Sequence, residues 1–314
     1  MATETTNTTP GTTTTTTWTA PPPSEPKVHR VLERLESAGA LDGPAEKVAK
    51  AVRSSLPAGG LKDLLSGKQL GHALHPALTD VVIGTWTSAT ILDLIGGSKA
   101  RPAAERLIGV GILASLPTAA SGASDWADTT VKSPPVRRVG AVHAALNVGA
   151  LALYGASLAA RRGGRQARGA MLGLAGAGVL GASAHLGGHL SFVRGVGVAE
   201  TAFADPIADW TPACSDAEVR EGEPFVATVA GRDVLLVRQA GTVRALADRC
   251  NHRGGPLHRG AVEDGCVTCP WHASRFRLED GSVERGPAAS PQPTYDVRVA
   301  GDRLEIRSAA SRPA

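Results

Sequence analysis

Two short clusters in the sequence could do chemistry: Cys250-Asn251-His252, and Cys269-Pro270-Trp271-His272 after sixteen intervening residues. Each offers one thiolate and one imidazole, as C-x-H and C-x-x-H. A Cys₂His₂ set suits either a tetrahedral zinc ion or a [2Fe–2S] cluster whose second iron is held by two histidines. Zinc fingers usually pair Cys with Cys and His with His, an order not followed here. Each loop donates one of each, so each would touch both irons of a cluster. Gly254 and Gly255 let backbone amides approach sulfide closely, and Pro256 and Pro270 stiffen the loops.

The stretches CNHRGGPLHRG (250–260) and CPWHASRF (269–276) resemble the two ligand boxes of the Rieske family, and within it the small Rieske ferredoxins. The resemblance covers roughly residues 210–308 and implies a [2Fe–2S] cluster and one-electron transfer. It implies Cys250 and Cys269 on the inner iron, and His252 and His272 on the solvent-facing one. Gly286-Pro287-Ala288 looks like the family's proline loop over the cluster. Ser274 lies where respiratory Rieske proteins have a serine that donates to a bridging sulfide. Phe276 replaces a tyrosine that donates to a cysteine sulfur there. With one donor kept and one lost, the expected potential falls in the lower half of a span of roughly −150 to +300 mV. The respiratory class also carries an extra Cys beside each box. Here Trp271 fills one such place, and the spare cysteines are Cys214 and Cys266. Cys266, three residues before Cys269, is conceivable as an alternative ligand, and His258 reads as a surface residue.

Something must position these loops. The chain has 314 residues, enough for two domains, with Lys+Arg 33 against Asp+Glu 29. The mild basic excess lies in loops rather than in one stripe, so nucleic acid is not an expected partner. Residues 1–26 are rich in Thr and Pro, read as a disordered tail with no secretory or twin-arginine signal. Residues 27–76 have helical periodicity (Val28, Val31, Leu32, Leu35; Val48, Ala51, Val52) and read as amphipathic helices against a membrane or a domain. Residues 194–216 read as a linker and 309–314 as a tail. Residues 217–308 predict strands at 224–230, 233–238, 243–247, 295–299 and 303–307, with turns at Gly241, Asp280-Gly281 and Gly301-Asp302. The predicted fold is multidomain: an N-terminal α-helical four-helix transmembrane bundle and a C-terminal small all-β Rieske domain.

The bundle is read from four largely apolar stretches within 77–193, about 77–95, 107–123, 139–160 and 169–193, each near the length a bilayer requires. Small residues such as Gly173, Ala177 and Gly181 suit close helix packing. GKQLGHALHPALTDVVIGTWTSATILDL (67–94) resembles the opening of the DUF2231 membrane domains, with Ala73 where a proline is more usual. That resemblance covers roughly 60–195 and implies membrane insertion. His72, His75, His143, His185 and His189 lie in or beside these stretches, and His185 and His189 continue the Gly173-Ala177-Gly181 row, so the packed face of the last helix is expected to become polar at one end. Intramembrane polar residues are functional candidates by default. A haem b held by His143 with His185 or His189 is one reading, and interhelical hydrogen bonding is the other.

An even number of spans keeps both termini on one side. Loop cations number seven against six, which does not choose a side. Cluster assembly favours a cytoplasmic Rieske domain. About forty residues follow His272, too few for the catalytic domain of a self-contained oxygenase. Two functions fit: a membrane-anchored one-electron carrier serving a reductase and an acceptor, or a redox sensor in which the cluster state biases the bundle.

Overall fold

The computed structural model describes residues 27–129 and 133–309, plus two strands near the start, β1 (Thr3–Thr5) and β2 (Thr17–Thr19). The disordered-tail expectation mostly lies outside the described residues. Within it, β1 and β2 pair antiparallel, as β-branched threonines favour.

Three short helices lead in: α1 (Lys27–Ser37), α2 (Asp42–Ser55) and α3 (Gly60–Ser66). Four long ones follow: α4 (Leu74–Ile95), α5 (Gly97–Thr129), α6 (Pro134–Arg162) and α7 (Gln166–Gly188), the last extended by a π turn over His189–Val193. All four are long and apolar enough to cross a membrane by length and composition. Consecutive helices pack as hairpins, and α4 also meets α7, which closes the ring. At its centre Trp86 and Tyr154 stack with ring centroids 4.1 Å apart. The α7 face is cut back to glycine to admit them, for a Cβ on Gly176 would meet the Tyr154 ring at 3.0 Å. Asp93 of α4 forms a fork with Arg161 of α6, whose side chain is buried. Helix α1 packs on α6, α2 on α5 and α6, and α3 on α4 and α5.

The buried row of α7 is Gly169, Gly173, Gly176, Leu180, Ser183 and Leu186. It departs from the expected row Gly173-Ala177-Gly181-His185. At 3.6 residues per turn each i+4 step advances about 40°, so three steps carry His185 off the packed face. His185 is exposed.

The C-terminal domain is all-β. A six-stranded antiparallel sheet runs, in spatial order, β3 (Thr211–Ser215), β12 (Arg303–Ser308), β11 (Thr294–Ala300), β6 (Thr242–Ala247), β5 (Arg232–Gln239), β4 (Phe225–Val229). Strand β5 is buried on both faces. Val234 and Leu236 enter one core with Val229, Leu304 and Ile306, while Leu235 and Val237 enter a second with Leu246, Val267 and Phe276. The apolar run Val234–Val237 therefore reads without alternation. The hairpin turns Ala230-Gly231 and Ala240-Gly241 have φ positive at both residues, the two-residue form whose twist matches the strands.

Two parts lie outside the five predicted strands. Strand β3 lies inside the expected linker. Its Pro212 has no N–H to give, but β3 is an edge strand, where that loss is tolerated. A second sheet, β10 (Val283–Arg285), β9 (Arg275–Arg277), β8 (Cys266–Thr268), β7 (Val262–Glu263), consists of strands of two or three residues, too short to show alternation.

Candidate metal centre

The small sheet and the large one hold two loops side by side. The first leaves β6 at Asp248 and reaches β7; the second joins β8 to β9. The first is braced by side chains. Gln292 Nε2 donates to the carbonyls of Ala247 and Arg249, both at 2.7 Å, and its Oε1 accepts the Asn251 N–H at 2.9 Å. Asn251 Nδ2 donates to the carbonyls of Ser290 and Pro291. Asp248 accepts the His258 N–H and pairs with its Nδ1, both at 2.7 Å, so that ring is already engaged. Sequence reasoning missed Asp248 and Gln292. Their only signal was position, one just before the first box and one between Pro291 and Pro293.

Cys250 and Cys269 are buried with thiols in hydrogen-bonding contact. The Cys250 sulfur accepts backbone N–H groups of His252 and Arg253, and the Cys269 sulfur those of Trp271 and His272. The Cys250 thiol lowers Cys269 to about 7, helped by those amides, while sharing the proton and burial push Cys250 up. The four amides act in favour of negative charge on sulfur. Gly255 is packed so closely that a Cβ there would meet Cys269 Sγ at 2.6 Å.

The histidine rings meet edge to face, centroids 5.1 Å apart. Burial lowers both below the ordinary histidine value, which keeps them neutral, the form that binds metal. His252 Nδ1 is buried with no protein hydrogen-bond partner. Among the described residues no three His, Cys, Asp or Glu side chains converge on one point. A diiron unit asks two protein ligands of each metal. The paired sulfurs, neutral rings, orphaned nitrogen and glycine cradle all fit a [2Fe–2S] cluster.

Around this pocket Ser274 is fully buried, and its Oγ accepts the Ala288 N–H at 2.9 Å, which leaves the hydroxyl proton to donate. Phe276 is fully buried and packs in the core that contains both cysteines and Ala288, next to Pro287. Cys266 lies outside that core, and its thiol meets Arg275. Cys214 is buried in the other core.

The histidine tip is not free. The side chain of His252 is 10% exposed, and its Nε2 lies 3.6 Å from Asp128 Oδ2 at the end of α5. Asp128 pairs with buried Lys62 of α3 at 2.8 Å, and Asp63 of α3 accepts the Gly286 N–H at 2.8 Å. His252 is thus covered by the helical domain rather than open to solvent. Sequence periodicity describes each domain separately and carries no sign of their contact.

The haem expectation is not supported. His143 Nε2 accepts from Asn147 Nδ2 at 3.1 Å and its Nδ1 donates to the Ser183 carbonyl at 2.9 Å, so both nitrogens are used. His189 Nε2 meets Glu36 Oε1 at 2.7 Å, and His185 faces outward. These histidines serve as hydrogen-bonding groups, and His75 does the same with the Thr118 carbonyl.

Residues 209–296 match the Rieske [2Fe-2S] domain model, and residues 71–200 match the model described as predicted membrane protein (DUF2231). The anthranilate 1,2-dioxygenase ferredoxin subunit of Burkholderia cepacia is 34% identical over 100 residues, 32% of this chain and 93% of that protein. The 3-phenylpropionate/cinnamic acid dioxygenase ferredoxin subunit of Escherichia coli (strain K12) is 34% identical over 102 residues, 32% of this chain and 95% of that protein. Among solved structures, the ferredoxin of carbazole 1,9a-dioxygenase from Nocardioides aromaticivorans IC177 is 26% identical, covering 32% of this chain and 97% of that chain, with a TM-score of 0.30. Each of these matches covers about a third of this chain and more than nine-tenths of the other protein. Through its β domain the chain belongs to the Rieske [2Fe–2S] family, joined to a helical domain of the DUF2231 type.

Proposed function

We propose that the protein is a membrane-anchored, one-electron carrier or electron-transfer subunit of Rieske type. The observation that carries this reading is the pairing of Cys250 with Cys269 beneath two neutral, edge-to-face histidines. In this assignment Cys250 and Cys269 would hold one iron, and His252 and His272 would hold the other. A cluster of this kind supplies reversible one-electron storage. The protein's part is to bind and to tune. Four backbone amides stabilise charge on the sulfurs, and Ser274 offers a hydroxyl. Phe276 and Leu257 exclude water, and the Pro287 loop closes the pocket. The ferredoxin relatives support a redox role with protein partners, a reductase and an acceptor, and the four apolar helices support insertion in a lipid bilayer. Both termini of the helical ring lie at one end, so the β domain sits on one face of the membrane, for which cluster assembly favours the cytoplasmic one.

The test is the EPR and visible spectrum of the dithionite-reduced, detergent-purified protein. A Rieske-type signal with two irons per chain is expected, lost in His272→Ala. Zinc without iron would remove the carrier role. One observation favours a second reading, a redox sensor: the histidine tip is covered by the protein's own helices. Reversible cycling between a reductase and an acceptor supports the carrier. A change in partner binding with cluster state supports the sensor.

A further inference from the structure

We propose that Asp128, held by Lys62, is the group through which the helical domain sets the reduction potential of the site. This rests on the ligand assignment above. A histidine that gives Nδ1 to a metal carries its proton on Nε2, and it is Nε2 of His252 that faces Asp128 Oδ2 at 3.6 Å. The carboxylate is fixed rather than free. Its Oδ2 meets Lys62 Nζ at 2.8 Å, and Lys62 in turn donates to Ser124 Oγ at 2.8 Å and to the Ser124 carbonyl at 3.2 Å. Asp128, Lys62 and His252 side chains are 5%, 7% and 10% exposed, so solvent and salt screen this charge weakly. Other ionisable groups face the same junction: His272 beside His252, Arg253 with Asp125 and Glu200 opposing it in sign, and Arg53 toward His272.

The carboxylate and the groups that fix it lie outside the β domain. Lys62, Ser124 and Asp128 come from α3 and α5, so the ligand ring acquires its carboxylate only when the two domains are in contact. One-electron reduction adds one negative charge at the site. A fixed carboxylate beside the ligand ring opposes that charge, and the Lys62 ammonium favours it. Asp128 thus acts on the site through His252, as outer carboxylates do on metal-bound histidines.

The experiment is a redox titration at fixed pH of the full chain in detergent, with dithionite as reductant and the EPR signal as readout. Asp128→Asn keeps the side chain's shape and removes its charge, so the midpoint potential rises. Lys62→Met removes the opposing charge, so the potential falls. Opposite signs are the signature. Loosening of the domain contact would expose the rings to water in both variants and shift both the same way. Shifts of one sign, or none in Asp128→Asn, overturn the proposal. If Asp128→Asn binds no iron, Lys62→Met decides alone, and anything but a fall overturns it. A wild-type protein without a Rieske signal overturns the ligand assignment, and this inference with it.

Discussion

The carboxylate of Asp63 accepts the backbone N–H of Gly286 at 2.8 Å across 223 residues of sequence, in a buried contact between α3 and the proline loop. A buried amide that loses its acceptor costs about 1–3 kcal/mol. Asp63→Ala is therefore expected to loosen the loop over the pocket without unfolding either domain. Hydrogen exchange is the measurement: faster exchange at Gly286 and its neighbours, with β5 and β6 amides as protected as before. Unchanged exchange at Gly286 would mean that the contact does not hold the loop.

Gly255 stands where no side chain fits. A Cβ would come within 2.6 Å of Cys269 Sγ, a sulfur fixed on both sides by backbone amides. The collision is with a rigid group, so Gly255→Ala must displace the first loop from the second. Iron content is expected to fall nearly to zero while circular dichroism retains the β signal. Gly254→Ala, at φ +72°, meets the Arg249 side chain, which can move, and should lose less. Equal loading of wild type and Gly255→Ala would show that the loops need not approach so closely.

Phe276 packs in the same core as both cysteines and cannot donate a hydrogen bond. Phe276→Tyr would add a hydroxyl there, and a donor toward sulfur stabilises the reduced, more negative state. A higher midpoint potential is expected, with an overpacking cost of about 1–3 kcal/mol in stability. Ser274→Ala is expected to lower the potential, because it removes the hydroxyl opposite. Potentials that move the other way would place both side chains outside hydrogen-bonding reach of the cluster.

Local chemistry was legible in the sequence and long-range contact was not. Cys250, His252, Cys269 and His272 announce themselves because a metal site fixes both residue type and short spacing. Val234–Val237 reads as a strand because apolar residues fill both faces. Pro212 hid β3, since a proline argues against a strand unless its place at the edge is known. Counting in fours from Gly173 leads to His185, but the helix drifts past that count and leaves His185 exposed. Lys62, Asp63 and Asp128 carried no signal at all. Asp128 meets His252 and Asp63 meets Gly286, and only the docked domains bring these pairs together.

In the helical domain Arg161 is buried, with Nη1 donating to Asp93 Oδ1 at 2.9 Å and Nε to Ser157 Oγ at 3.2 Å. Removing one partner leaves an uncompensated charge, which costs about 3–5 kcal/mol when buried. Arg161→Met should thus lower the thermal midpoint in detergent sharply. Asp93→Asn with Arg161→Met should recover part of that loss, because no charge is then left alone. A double variant as unstable as the single would assign the effect to packing against Gly169, which the Arg161 side chain covers.

Acid should release α2 from the bundle. Asp42 accepts from Arg138 Nε at 2.9 Å and from Arg137 Nη2 at 2.9 Å. The Arg138 hydrogen bond, then that of Arg137, hold the Asp42 carboxyl at about 2, below its ordinary 3.8. The folded value is the lower one, so folding favours the ionised form. The contribution is complete above the unfolded value near 3.8 and is lost as pH falls through about 2. Asp42→Asn should therefore be less stable than wild type at pH 7, and the gap should narrow steadily between about pH 4 and pH 2. Denaturation midpoints measured across that range in detergent decide it. A gap that stays constant down to pH 2 would show that ionisation of Asp42 contributes nothing to the docking of α2.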